Sequence, residues 1–238
     1  MTPLDYRIDP EVFAQHPGYC RGLLVFVKLD NTRPDPALAG LLGEAESSLR
    51  SAIGGNVADD PRIAAWRDAY RRFGARPSEH RSSIEAMARR VLKPDSLPSI
   101  NPLVDIGNIV SLRHVLPAGV HPLPARHGAL ELRPARAGDT FAPPDGGPAE
   151  QPPPGEIVLA DGHEVLTRRW TWRQAAGTRT LPRTTALFFN VDGLPPTSMD
   201  DVQAAMTDVV ALVSRFCGGE LVLSAVLDAS NPHARIAS

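Results

Sequence analysis

The chain has 238 residues, 42% of them hydrophobic, 22% charged and 5% aromatic, with a formal net charge of −2. That length can bury one large core or two small ones, and the balance is that of a soluble globular protein rather than a disordered or fibrous one. Cys20 and Cys217 make no CxxC pair and no disulfide framework, the apolar runs are strand-sized, and the start MTPLDYRIDPEVF carries acids instead of a basic leader region. From these features we expect no disulfide scaffold, no membrane span and no secretory leader, and a reduced, cytoplasmic home.

Gly22–Leu29 (GLLVFVKL) is apolar and β-rich and predicts a buried strand. From Pro36 to Ile53, Leu38, Leu41, Leu42, Ala45 and Leu49 recur at helical spacing, and Gly54–Gly55 is the stop. Asp60–Pro61 is an N-cap followed by proline at the first helical position. That helix runs to Phe73, ended by Gly74, with Ile63, Trp66, Tyr70 and Phe73 on one face and Arg67, Arg71 and Arg72 largely on another. A second helix starts at Ser82 or Ser83 and ends near Leu92.

Asn101–Leu112 (NPLVDIGNIVSL) predicts a helix, with Leu103, Ile106 and Val110 sharing a face. Its Asn101, Asp105 and Asn108 are polar groups amid apolar ones, costly to bury unless hydrogen-bonded. Ala129–Arg133 alternates as a strand. Ala142–Gly155 has proline or glycine at nine of fourteen positions and predicts a loop. Glu156–Ala160, Glu164–Arg168 and Thr184–Val191 predict strands, Met199–Phe216 a helix, and Glu220–Leu227 a strand after Gly218–Gly219. Residues after Asp228 read as a poorly ordered tail. A helical first third before a strand-rich remainder predicts an α+β fold, with mixed sheet layers and flanking helices. Residues 1–60 form part of that fold, 61–228 its main body and 229–238 the tail.

The charge is uneven. Trp66–Lys93 holds eight basic residues against Asp68, Glu79 and Glu85, and Gly162–Arg183 holds five arginines against Glu164. Two readings stand: a footprint for a polyanion, or solvated helix faces and arginines paired elsewhere. No P-loop, GxGxxG, HExxH, zinc-spaced Cys/His cluster or GxSxG is present. No cofactor and no metal are therefore expected. His114, His121 and His127 form one loop or lie on the surface, without carboxylate or thiolate partners nearby. Cys217 reads as a small buried hydrophobe.

Asn108 is either a satisfied core amide or a pocket donor. Trp170 and Trp172 flank Thr171, so strand alternation would put both on one face. That face is either a stacking platform for a base, with arginines for phosphate, or ordinary packing. Asn190 ends an apolar strand, where a polar residue often marks the mouth of a site.

At these residues the chain resembles the B3/B4 domain of the bacterial phenylalanyl-tRNA synthetase β subunit, and more closely the free-standing proteins built from that domain alone. NPLVDIGNIVSL matches a synthetase phrase of the form NxVVDITNYVMLE, and GALELRPARAGD matches GxIxVRxAxxGE. The segments GEIVLADGHEVLTRRWTWRQAAGTRT and TTALFFNVDGL are similar to the free-standing type. The likeness runs from about Trp66 to Gly219.

In the synthetase this domain hydrolyses tyrosine wrongly attached to the phenylalanine tRNA. The resemblance therefore implies a pocket for an amino acid or the aminoacylated end of a tRNA. It assigns Asn108 to that pocket. The editing histidine of the family falls on Gly119, with His121 two residues on. The glutamate that reads the tyrosine hydroxyl falls near Asn190, with Asp192 close behind. The glycine-rich pocket segment is replaced by Arg168, Arg169 and Trp170.

The implied function is deacylation of mischarged aminoacyl-tRNA in trans. The alternative is a non-catalytic module for RNA or an amino-acid-like ligand. Aminoacylation itself is excluded by the lack of length and ATP-binding motifs. The expected catalytic residues are Asn108 and His121. Arg133, Arg168, Arg169, Trp172, Thr178 and Asn190 are expected to bind substrate, and Arg71, Arg72 and Arg173 to bind RNA.

Overall fold

The computed structural model describes residues 4–93, 96–123 and 129–236. In chain order these form β1 (Leu4–Ile8), α1 (Pro10–Gln15), β2 (Cys20–Val27), α2 (Pro36–Ala52), α3 (Pro61–Arg72), α4 (Ser83–Val91) and α5 (Pro102–His114). Next come β3 (Ala118–Pro122), β4 (Ala129–Pro134), β5 (Ile157–Asp161), β6 (Glu164–Arg168), β7 (Arg173–Gln174) and β8 (Leu187–Gly193). The chain closes with α6 (Met199–Phe216), β9 (Glu220–Leu227) and β10 (His233–Ile236). The fold is α+β.

A recurring local signal starts the helices. Asp9, Asp35, Asp60 and Asn101 each precede a proline, and each side chain accepts a hydrogen bond from a first-turn N–H. The Asx oxygen satisfies an orphan donor, and proline has no N–H to satisfy and a φ already set for the helix. α6 instead begins with a reciprocal capping box between Ser198 and Asp201.

Two sheets face each other. The smaller has the order β3-β8-β2-β9, antiparallel throughout. The larger has the order β10-β1-β4-β5-β6-β7, with β1 and β4 parallel and the other pairs antiparallel. β8 is buried along its whole length, so both of its faces meet protein. Alternation sends Phe189 and Val191 into a core shared with α2, α4, α5 and α6. Phe188 turns the other way, into the layer between the sheets with Leu23, Val25, Tyr6 and Leu159.

The small sheet lies close to α6 because Gly22 and Gly193 have no side chains. A Cβ on Gly193 would come within 2.6 Å of Val202 Cγ2, and Val202 is a stiff β-branched side chain buried in that core. A third, small cluster (Phe141, Val158, Val165 and neighbours) lies beneath the Pro-rich segment.

Two readings of the sequence are corrected. The tail is ordered at His233–Ile236, where β10 pairs with β1. Neither strand was foreseen, because each is short and flanked by charged residues and its pairing partner is distant in sequence. The Trp170–Trp172 stretch is a turn rather than a strand. Arg169 and Trp170 take positive φ (46° and 63°), which swings Trp170 into the core while Trp172 stays half-buried. The buried strand expected at Gly22–Leu29 is present as β2, central to the small sheet.

Candidate functional site

A cavity of about 350 Å³ opens between the two sheets, walled at one end by α4 and α5. The register of the small sheet builds its floor. Arg21 lies opposite Asp192 across β2 and β8, Gly119 opposite Asn190, and His121 opposite Phe188 across β3 and β8. Antiparallel pairing with a period of two places these polar residues on the same face, directed at the larger sheet.

The α5 N-terminus is fixed by amides and a carboxylate that the cavity does not use. Asn101 caps α5 and donates to Thr180 O at 3.0 Å. Asn31 donates to Asn101 Oδ1 at 3.0 Å and accepts from Leu103 N at 3.0 Å. Asp105 accepts from Ile100 N at 2.9 Å and Ser99 Oγ at 2.5 Å. These bonds set the rotation of the helix. Asn108, one turn on, is half-buried and lines the cavity, and its amide has no hydrogen-bond partner among the described residues. Gly107 lets α5 approach β3, since a Cβ there would be 3.1 Å from Ala118 O.

At the floor, Arg21 Nε donates to Asp192 Oδ1 at 2.7 Å and Arg21 Nη1 donates to Tyr6 Oη at 2.5 Å. Tyr19 also donates to Asp192 Oδ1, at 2.5 Å, and Tyr6 donates to Asn190 Oδ1 at 2.9 Å. Burial pushes the Tyr6 phenol up to about 12 and raises that of Tyr19 as well, so both remain donors. Burial opposes the charge of Arg21, but Asp192 outweighs it and holds the guanidinium above its ordinary range.

His121 is buried and stacked on Phe188, with centroids 5.1 Å apart. Gln174 Nε2 lies 3.2 Å from its Nε2 and donates to Val120 O at 2.8 Å. Burial, helped by the Arg21 charge, pushes the imidazole down to about 3. The ring is therefore neutral at pH 7 and a weak proton acceptor, far from the pKa that general-base catalysis favours. What it offers is a neutral hydrogen-bonding ring held in place on the floor.

Of the residues that the sequence proposes for the site, Asn108, His121, Asn190, Trp172 and Arg173 meet at this cavity. Arg173 sits at its edge and donates to Asp145 at 2.8 Å. Arg169 does not line it. Its guanidinium covers the Trp172 ring at 4.3 Å and lies 3.5 Å from Glu156, with Nη1 buried and without a hydrogen-bond partner among the described residues.

The others lie elsewhere. Arg168 is clamped by Glu156 at 2.8 Å on both oxygens and by Glu150, so it ties β6 to the Pro-rich segment and has no free edge for phosphate. Arg133 is held by Asp139 at 2.6 and 2.9 Å and by Gly162 O at 2.7 Å. Thr178 donates its hydroxyl to backbone carbonyls of Leu166 and Ala175. On α3, Arg71 pairs with Asp68, and Arg72 donates to Gln15 O at 2.9 Å. His127 lies outside the described residues. His114 is at the end of α5, 3.3 Å from Asp208.

Arg21, Thr167 and Gln174 also line the cavity and were not foreseen. Arg21 stands one residue before the apolar run Gly22–Leu29, and a charge at the edge of a buried strand was the available signal. Gln174 carries none.

A second groove adjoins the cavity. It is lined by Arg81, Arg89, Arg90 and Lys93 with Glu79, and it shares Ala86 and Trp172 with the cavity wall. Glu85 answers Arg67 at 2.5 Å and Arg89 at 2.9 Å, with Arg81 at 3.9 Å, so one buried carboxylate faces three guanidinium groups. Arg90 and Lys93 have no ion pair among the described residues.

The profile of the B3/4 domain matches residues 65–218. The chain belongs to the B3/4 domain family. This is the family that the sequence resemblance names. No curated protein matches the chain. Among solved structures, an N-terminal fragment of the phenylalanyl-tRNA synthetase β subunit from Pyrococcus horikoshii is similar, with a TM-score of 0.47 and 11% identity. That match covers 94% of this chain and 54% of the fragment, so the chain spans about half its length.

Within this B3/4 domain, two residues of the turn after β6 have a glycine-like backbone. Arg169 and Trp170 both sit in the left-handed region, where a side chain is strained and glycine is not. Gly119 leaves space on the cavity floor, since a Cβ built there lies 3.6 Å from His121 Nε2. Among the described residues no cluster of His, Cys, Asp or Glu could hold a metal ion, and no helix is long and apolar enough to cross a membrane.

Proposed function

We propose that this B3/4 domain protein hydrolyses the ester of mischarged aminoacyl-tRNA in trans. The observation that carries the reading is the convergence of Asn108, His121 and Asn190 on one cavity beside a basic groove. The terminal nucleotides would follow the groove past Arg89, Arg90 and Lys93, and the aminoacyl group would enter the cavity over Trp172. Guanidinium and ammonium groups suit phosphate, and an aromatic ring suits a base.

An aminoacyl ester needs no protein nucleophile. Water adds to the carbonyl carbon and gives up one proton to solvent, the carbonyl oxygen becomes an oxyanion, and its collapse back to a carbonyl breaks the bond to the ribose oxygen, which leaves with a proton drawn from solvent. The protein contributes position and charge stabilisation. The unpartnered Asn108 amide can donate to the oxyanion or orient the water. Neutral His121 fixes the water by hydrogen bonding rather than by taking its proton.

The test is to incubate the protein with a panel of correctly and wrongly charged tRNAs and follow ester loss. Acceleration for at least one mischarged species is expected. A flat panel defeats the proposal. Gly119 at the histidine position and the low basicity of His121 favour a second reading, a binding module. Its signature is salt-dependent tRNA binding with no ester loss.

A further inference from the structure

We propose that Arg21 and Asp192 are the specificity floor of the cavity, and that they select a neutral amino-acid side chain offering an acceptor to Arg21 and a donor to Asp192, the pattern of a carboxamide. The inference rests on the aminoacyl group entering this cavity, and it names the class of side chain accepted there.

Asp192 is buried, and its hydrogen bonds are all on one oxygen. Oδ1 takes both Tyr19 and Arg21, while no donor reaches Oδ2 among the described residues. Arg21 is buried too, with Nε on Asp192 and Nη1 on Tyr6, and no partner for Nη2 among the described residues. Both side chains line the cavity. Asn190 beside them accepts from the Tyr6 hydroxyl on its Oδ1, and its Nδ2 protons have no acceptor among the described residues. The carboxylate and the guanidinium, each with one atom unmet among the described residues, line the same cavity as the apolar Leu159, Val104 and Trp170. Unmet hydrogen-bonding capacity in such a place needs water or a ligand.

Charge decides the class. Arg21 and Asp192 cancel, Arg173 at the edge is answered by Asp145, and His121 is neutral at pH 7. An ionised side chain would bring an unanswered charge into a buried floor, and an apolar one would strand both polar edges. A carboxamide matches both edges with its carbonyl and its NH2. A site built on such pairs rejects analogues that lack them strongly.

The probes are α-amides, which mimic the ester and resist hydrolysis: L-glutaminamide, L-asparaginamide, L-methioninamide and the α-amide of L-glutamic acid. Calorimetry and the thermal unfolding midpoint read binding to the unmodified protein. The carboxamide probes are expected to bind at least tenfold more tightly than the near-isosteric methionine and glutamate probes. Asp192→Asn, checked for folding by circular dichroism, is expected to abolish that preference. The comparison on the unmodified protein stands even where this variant fails to fold. Equal binding across the panel, a preference for methionine or glutamate, or no binding at millimolar concentration overturns the assignment. So does free L-leucine binding as tightly as free L-glutamine, which would put the zwitterionic head on the floor. Ester loss is not read here, so selective binding without deacylation defeats the catalytic reading and leaves this one standing.

Discussion

Asn108, on the wall of the cavity, has an amide with no hydrogen-bond partner among the described residues, so removing it strands none of their buried groups. Asn108→Ala is expected to change unfolding free energy by no more than about 0.5 kcal/mol. Its deacylation rate is expected to fall on the order of 100-fold, the loss seen when one oxyanion donor is removed. Denaturant melts and single-turnover ester assays on the same preparation separate the two effects. His121 carries a pH prediction. In the folded chain burial pushes its imidazole down to about 3 from an ordinary 6.5. Between those values the unfolded chain binds the proton and the folded chain does not. Stability therefore rises with pH and is lost as pH falls from about 6.5 toward 3. His16, pushed down to about 4 by burial and then by Arg72, acts in the same direction. His121→Gln is expected to lose roughly 2 kcal/mol less stability than the parent between about pH 7 and pH 5. Equal pH dependence in urea melts would contradict the buried neutral ring.

α4 joins the cavity to the basic groove. Its inner face holds Ile84, Ala88 and Val91 in the cores, while Glu85 gathers Arg67 and Arg89 at its flank. Arg90 and Lys93 remain without ion pairs among the described residues and face the groove. Substituting both by glutamate is expected to weaken tRNA binding on the order of tenfold or more and to flatten the salt dependence by one to two phosphate contacts, roughly one unit of slope each. Arg71 and Arg72 on α3 serve as the control, because they are committed to Asp68 and Gln15. An equal loss from the α3 pair would move the RNA path off the groove. The helices were legible in the sequence because their signals are local: Asx-Pro starts, glycine stops and apolar periodicity. Asn108 and Asn190 were legible as polar residues in apolar text. Arg133 and Arg168 looked like free cations because their partners Asp139, Glu156 and Glu150 are fixed only by tertiary packing. The Trp170 turn was read as a strand because a positive φ on Arg169 and Trp170 has no signature in those residue types.

At the scale of the molecule, two facing sheets and a helical layer hold a polar floor between apolar cores. β10 closes the larger sheet beside β1, which carries Tyr6 to the floor, so both ends of the chain support the site. A net charge of −2 conceals a basic groove at the cavity mouth. The proposed aminoacyl group carried by a polyanion draws its support from this polar floor and this basic groove. The measurement that bears most directly on this is ester loss from a panel of aminoacyl-tRNAs, with the parent chain and Asn108→Ala run side by side. The account predicts faster deacylation of at least one mischarged tRNA by the parent and near-background loss with the variant. Background rates for every tRNA, or equal rates for parent and variant, would contradict it.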